Sequence, residues 1–299
     1  MMLHVIVLIF GFTGILGKLI SLDAERLVFW RVLIGGSLVG IWLLLTGQTQ
    51  RFRPRTLWKV AVIGCVAAAH WIAFFASIKV SNVSVALATL ATTPVFVSVF
   101  EPIVHRRRFD PRELFLGLMI LAGLMVLLWG PSPDGPIPDV SRYYRGVGLA
   151  LVSAVLAAIF ATFNGVLVRT YDSANITRVE LLSAAIALTV LFLIDGKGRN
   201  AAFWTVPQAD WVWIGLLATL ATAFAFLMSI EVMKKLTPFT TAVAINLEPV
   251  YAIVLAALIF GEEERMGPWF YAGASIIVGA VFIDAWLKRG RKGSLAEVD

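Results

Sequence analysis

Long apolar runs separated by short polar stretches dominate this chain. A membrane-crossing helix needs about 20 mostly apolar residues at about 1.5 Å each, and ten runs approach that length: 2–20, 26–46, 57–78, 83–104, 113–130, 146–169, 177–194, 210–233, 239–260 and 268–287. Their short connections favour antiparallel neighbours. The longest connections are 131–145, with Pro131, Pro133, Pro136 and Pro138, and 195–209. The runs fall into two sets of five. Residues 66–78 (VAAAHWIAFFASI) and 218–230 (ATLATAFAFLMSI) align at a constant offset of 152, with identities at Ala69/Ala221, Ala73/Ala225, Phe74/Phe226, Ser77/Ser229 and Ile78/Ile230. Further on, Thr93-Pro94-Val95 matches Glu248-Pro249-Val250 around the proline, and Gly117 with Gly123 matches Gly273 with Gly279. Five is odd, so corresponding points of the two copies face opposite ways across a bilayer. The pattern predicts an all-α membrane protein of ten transmembrane helices in two inverted five-helix repeats. The first repeat covers 1–130, the linker 131–145 and the second repeat 146–290, followed by a tail over 291–299. Inverted repeats of this kind are typical of secondary transporters.

Composition agrees with a bilayer as solvent, since 59% of the 299 residues are hydrophobic and 15% are charged, outside the range of soluble domains. The net charge of +6 would suit nucleic acid, but the basic residues stand in short runs between apolar spans rather than along one groove. Such runs set topology. With a cytoplasmic N-terminus, the inner loops and tail hold 16 of the 25 basic residues, among them Arg51, Arg53, Arg55, Arg106, Arg107, Arg108, Lys234, Lys235, Lys288 and Arg289. Both termini are therefore expected in the cytoplasm of a cell whose inner (plasma) membrane holds the chain. Residues 1–20 have neither a preceding basic stretch nor an A-x-A site, so they read as the first membrane helix rather than a signal peptide. The single cysteine, Cys65, lies in an apolar span and forms no intrachain disulfide. Trp204, Trp211 and Trp213 fit an interfacial belt or aromatic packing between helices equally well.

Polar residues inside spans are costly and mark packing or function. His70 sits midway along the third span, on a face with Ala73, Phe74 and Ser77, which suits either a cavity wall or a hydrogen bond to a neighbouring helix. Pro94 and Pro249 fall near the middle of their spans and would kink them. Each frees the carbonyl four residues earlier, Leu90 and Ile245, and Thr93, Asn246 and Glu248 stand beside them. Glu248 at mid-depth disfavours insertion by about 2.5–3.5 kcal/mol, so it is expected to face the interior, where proton coupling and a plain interhelix bond are both open. Asn164 in the sixth span poses the same choice. Lys18, Arg31 and Lys79 fall in the outer third of their spans, from which long side chains reach the interface. No deep, fixed positive charge is expected from them. Glu101 is expected to snorkel toward water beside Arg106–Arg108, and the run Glu262, Glu263 and Glu264 to form a solvated loop. Gly36 and Gly40 form a G-x-x-x-G spacing that allows close helix approach.

Together these features resemble the EamA-type branch of the drug/metabolite transporter superfamily. The resemblance rests on Trp30-Arg31 followed by VLIGG, on Thr92-Thr93-Pro94 and on the string NLEPVYAIVLAALIFGEE from Asn246. GLMILAG from Gly117 and GASIIVG from Gly273 add to it. One departure is Glu101-Pro102-Ile103-Val104-His105 with three following arginines, where many members carry a glycine-glutamate pair. The resemblance implies a secondary carrier working by alternating access around a central cavity. His70 with TLATTP (89–94) is also similar to the branch that exports aromatic and other neutral amino acids. The expected substrate-contacting residues are His70, Phe74, Ser77, Leu90, Thr93, Asn164, Phe226, Asn246 and Glu248, with Pro94 and Pro249 as kinks. The partners are then a small-molecule substrate and the lipid bilayer, with no nucleic acid, no cofactor and no metal, and the chain is expected to work as a monomer. Sugar-phosphate or nucleotide-sugar carriage is the rival within the superfamily and needs deep positive charge. A channel would show pore rings or a filter motif. An intramembrane enzyme is disfavoured by only three histidines, one cysteine and no nucleophile motif.

Overall fold

The computed structural model describes residues 2–129, 140–261 and 267–296, and among them every regular element is helical. Most of the expected linker, and Glu262, Glu263 and Glu264, lie outside the described residues. The helices are α1 (Met2–Leu19), α2 (Ala24–Leu45), α3 (Pro54–Val80), α4 (Val83–Leu90), α5 (Thr93–Val104), α6 (Pro111–Trp129) and α7 (Val140–Leu167). There follow α8 (Ser173–Ile194), α9 (Asp210–Leu216), α10 (Leu227–Val232), α11 (Pro238–Ile245), α12 (Glu248–Phe260) and α13 (Pro268–Ala296). A π-helical stretch, Leu217–Phe226, joins α9 to α10. Seven stretches among the described residues are long and apolar enough to cross a membrane: α1, α2, α3, Val83–Val104, α7, α8 and Asp210–Val232.

Local chemistry sets the helix starts. Asp23, Asn82, Asp172 and Thr237 cap α2, α4, α8 and α11 by accepting a backbone N–H two or three residues on, and Pro54 and Pro238 stand in the first turns of α3 and α11. The outward faces carry bare apolar side chains: Leu45, Trp58, Ile194 and Leu258 each expose at least 72% of their surface. Water does not tolerate so much apolar surface, and a bilayer does. The protein is a multi-pass integral membrane protein.

Packing follows small residues. α3 lies against α7 and α8, α2 against α8, and α6 against α13. At the α6–α13 seam a Cβ on Gly123 would stand 2.8 Å from the carbonyl oxygen of Gly273, so only glycine permits this approach. Contacts between loops sort into two ends of the bundle. At one end Ser21 Oγ donates to Asp210 (2.6 Å), Lys197 pairs with Glu25 (3.1 Å) and Ser77 Oγ donates to Gly146 O (2.7 Å). There Trp204 packs on Phe29 (5.1 Å) and Trp211 on Trp30 (5.4 Å), so these tryptophans pack between elements. At the other end Asp172 N donates to Gln50 (3.1 Å), His105 Nε2 meets Thr162 O (2.9 Å), and Phe52 stacks on Tyr171.

Glu101 corrects an expectation. It is 1% exposed, accepts the backbone N–H of Phe239 at 2.7 Å and pairs with Arg107 at 3.1 Å. The free N–H groups in the first turn of α11 draw the carboxylate inward, where they and Arg107 supply the hydrogen bonds that water would have given.

Candidate functional site

Two interrupted helices meet inside the bundle. α4 and α5 are separated by Ala91 and Thr92, and α11 and α12 by Asn246 and Leu247. Each break falls two or three residues before the proline that the sequence marks, as expected from the bias against α-helical backbone just before proline. The breaks touch, because Asn246 Nδ2 donates to Ala91 O at 2.6 Å. A carbonyl freed at the end of α4 is thereby satisfied by a side chain from the other break. The carbonyl of Leu90 is also occupied, since Thr93 Oγ1 donates to it at 2.7 Å. The side chain of Pro249 lies outside the described residues.

Beside this crossing lies a cavity of about 120 Å³ whose walls come from α1, α2, α3, α7, α10 and both broken helices. That is a space close to the ~150 Å³ that holds a benzene ring in an engineered core. Its frame is aromatic. Trp71 meets Phe226 edge-on at 5.0 Å, Phe226 meets Phe160 at 5.9 Å, and Phe160 meets the His70 ring at 5.4 Å. Phe74, Leu90, Thr93, Asn246 and Glu248 complete the part of the wall that the sequence marks.

His70 both lines the cavity and bonds to a neighbouring helix. It is 7% exposed, and its Nδ1 stands 2.9 Å from Ser153 O on α7. A carbonyl only accepts, so Nδ1 is the donor of this bond. Ser153 Oγ donates in turn to His70 O at 3.0 Å, which locks α3 to α7 at this level.

Two expected residues lie off the cavity. Ser77, one turn beyond Phe74, spends its hydroxyl on the Gly146 carbonyl, and it is Ser229, its counterpart in the other copy, that reaches the cavity wall. Asn164, one turn beyond Phe160, faces Glu180 Oε2 at 3.4 Å in a fully buried pair. Both side chains make their contacts between helices, Ser77 with α7 and Asn164 with α8.

Arg31 overturns the expectation of an interfacial side chain. It is 2% exposed and lines the cavity. Its Nε donates to Thr222 Oγ1 at 2.9 Å, and the guanidinium lies 4.2 Å from the ring centre of Trp71. Among the described residues it pairs with no carboxylate. Seven residues into α2, on the face that carries Gly35, it points into the bundle, so the interface is out of reach. Gly35 lets α2 approach the π-helical stretch so closely that an added Cβ would stand 2.9 Å from Thr222 Cγ2. Thr222 Oγ1 in turn donates to Leu217 O, five residues back, at 2.9 Å, a spacing that the wider π turn brings into register. The available signal was an arginine a third of the way into an apolar run, with a repeat position, Thr222, that broke the symmetry with His70.

The sequence pattern of the EamA-like transporter family matches residues 1–129 and 144–284. The chain belongs to the EamA-like transporter family. Among relatives of this transporter, the uncharacterized transporter YxxF of Bacillus subtilis (strain 168) is 22% identical over 85% of this chain and 79% of its own. A probable biotin transporter of Pseudomonas aeruginosa is 24% identical over 88% of each chain. A solved crystal structure superposes on the transporter with a TM-score of 0.72 over 96% of both chains, at 18% identity, which establishes likeness of fold.

Proposed function

We propose that this transporter is a secondary active or facilitative carrier of the inner membrane that exports neutral and aromatic amino acids and related small solutes by alternating access. α6, α11 with α12, and α13 would add three crossings to the seven apolar stretches, giving ten in two inverted repeats joined by the linker. Both termini would be cytoplasmic. His70, Phe74, Leu90, Thr93, Phe226, Asn246 and Glu248 would face the solute, and Arg31 joins them.

The observation that carries this reading is the cavity itself, an aromatic frame of Trp71, Phe160 and Phe226 with a few polar groups at the crossing of two broken helices. Broken helices near mid-depth are where carriers of inverted-repeat design hold their solutes. Aromatic walls favour an apolar body, and about 120 Å³ favours a small one. Arg31, which pairs with no carboxylate among the described residues, supports a second reading, carriage of a monocarboxylate, the charge class of the solute named for the Pseudomonas relative.

Purified protein in liposomes preloaded with unlabelled solute tests the proposal. Saturable counterflow of labelled phenylalanine or leucine, stimulated from the trans side, is expected. Counterflow of biotin alone would favour the second reading, and solute flux without trans-stimulation would mark a channel.

A further inference from the structure

Arg31 and Glu248 share the cavity, a guanidinium and a carboxyl group that are not paired with each other. Arg31 is 2% and Glu248 7% exposed. Among the described residues neither takes part in an ion pair, and the Glu248 carboxyl makes no hydrogen bond. Among the described residues Arg31 hydrogen-bonds only through its Nε, to Thr222. Its two terminal amino groups keep their donors for something else. Thr222 and Trp71 hold the guanidinium on two sides, so its direction is fixed before any solute arrives. Glu248 opens α12 and lines the same cavity.

A buried charge without a counter-charge is unfavourable unless a ligand supplies one. Here a guanidinium and a carboxyl group, each without an ionic partner among the described residues, stand in one small space. A simple anion or an apolar monocarboxylate would answer Arg31 and leave Glu248 unanswered. An amine would do the reverse. A zwitterion answers both with one molecule, and its apolar side chain falls against the aromatic frame.

Building on the amino-acid reading above, we infer that Arg31 and Glu248 form a two-point clamp for a zwitterion. Arg31 takes the carboxylate and Glu248 the primary ammonium of one α-amino acid with an apolar side chain. The selection rule is that both charged groups must be present on a small scaffold, with side-chain identity left to Trp71, Phe160 and Phe226.

The test is counterflow of labelled phenylalanine by the full chain in liposomes, with 3-phenylpropionate and phenethylamine as competitors that lack the ammonium and the carboxylate respectively. Ligand-induced shifts in thermal midpoint in detergent give an independent measure of binding. In the unaltered protein each analogue is expected to compete at least tenfold more weakly than phenylalanine. Glu248→Gln should weaken phenylalanine at least tenfold and leave 3-phenylpropionate where it was, while Arg31→Gln should weaken phenylalanine and leave phenethylamine where it was. Arg31→Lys and Glu248→Asp keep the charges and should keep the pattern, which separates recognition from misfolding. Phenylalanine transport with analogues that compete equally, or with affinities unmoved in both neutral variants, overturns the clamp and leaves amino-acid carriage standing. Absence of both counterflow and a midpoint shift for every amino acid tested overturns the two together.

Discussion

A guanidinium held away from water without a carboxylate is a costly feature of this bundle. The effective penalty is several kcal/mol per ion, and a desolvated cation–π contact such as the one with Trp71 returns only about 2 kcal/mol. The hydrogen bond to Thr222 adds less than is needed to close that gap, and in the function proposed above the solute supplies the rest. His70 has the opposite balance, because one ring nitrogen works for the fold while the residue lines the cavity. His70→Ala would remove the bond to the Ser153 carbonyl, which keeps its place in the α7 ladder, and cost about 0.5–1.5 kcal/mol. His70→Asn places an amide N–H near the position of Nδ1 and removes Nε2. The asparagine variant is therefore expected to unfold close to the unaltered protein's midpoint while its transport KM changes, and the alanine variant to unfold at lower temperature. Equal midpoints for the two variants, measured by thermal unfolding in detergent, would show that the Ser153 bond contributes nothing. That His70 faces the interior of the bundle was legible from its position in an apolar run. Its division of labour was not, because Ser153 lies on a helix that no local pattern links to it.

The two broken helices are a local feature with a long-range consequence. Each proline announces its own break, and the sequence placed both near mid-depth. What no single-span pattern contains is that the breaks touch, since the Asn246–Ala91 bond joins positions far apart in the chain. Asn246→Ala removes that bond and leaves a carbonyl at the end of α4 unsatisfied in a site poor in water, again about 1–3 kcal/mol. If the contact holds the half-helices in register, hydrogen exchange should accelerate in Val83–Val104 and in α11 together, while α8 stays as protected as before. Faster exchange in α11 alone would mean that the two breaks move independently. The π-helical stretch was equally hidden, because Leu217–Phe226 reads as an ordinary apolar helix. Its signature is the Thr222 hydroxyl bonded five residues back, with Gly35 opposite, and this depends on α2 being there.

At the scale of the whole molecule, the two ends of the bundle carry different charge. The end that gathers Gln50, His105, Asp172 and Phe239 includes the loops with Arg51, Arg53, Arg106, Arg107, Arg108, Lys234 and Lys235, while the end around Asp210 and Glu25 is poorer in basic residues. The alternation of apolar runs was enough to read this division, because successive crossings must alternate ends and the loop contacts keep the same alternation. The cavity between the ends was less legible. Its walls come from helices distant in sequence, and only those bearing a polar anomaly announced themselves. Sidedness is testable because the chain has one cysteine. In a Cys65→Ser background, a cysteine at Arg108 and another at Lys197 place one thiol at each end. With both termini cytoplasmic, a membrane-impermeant maleimide added to intact spheroplasts should label the position-197 thiol at once and the position-108 thiol only after lysis. The opposite order would invert the topology and, with it, the direction assigned to export. Labelling of both in intact cells would mean dual insertion, and the basic loops would then no longer set a single orientation.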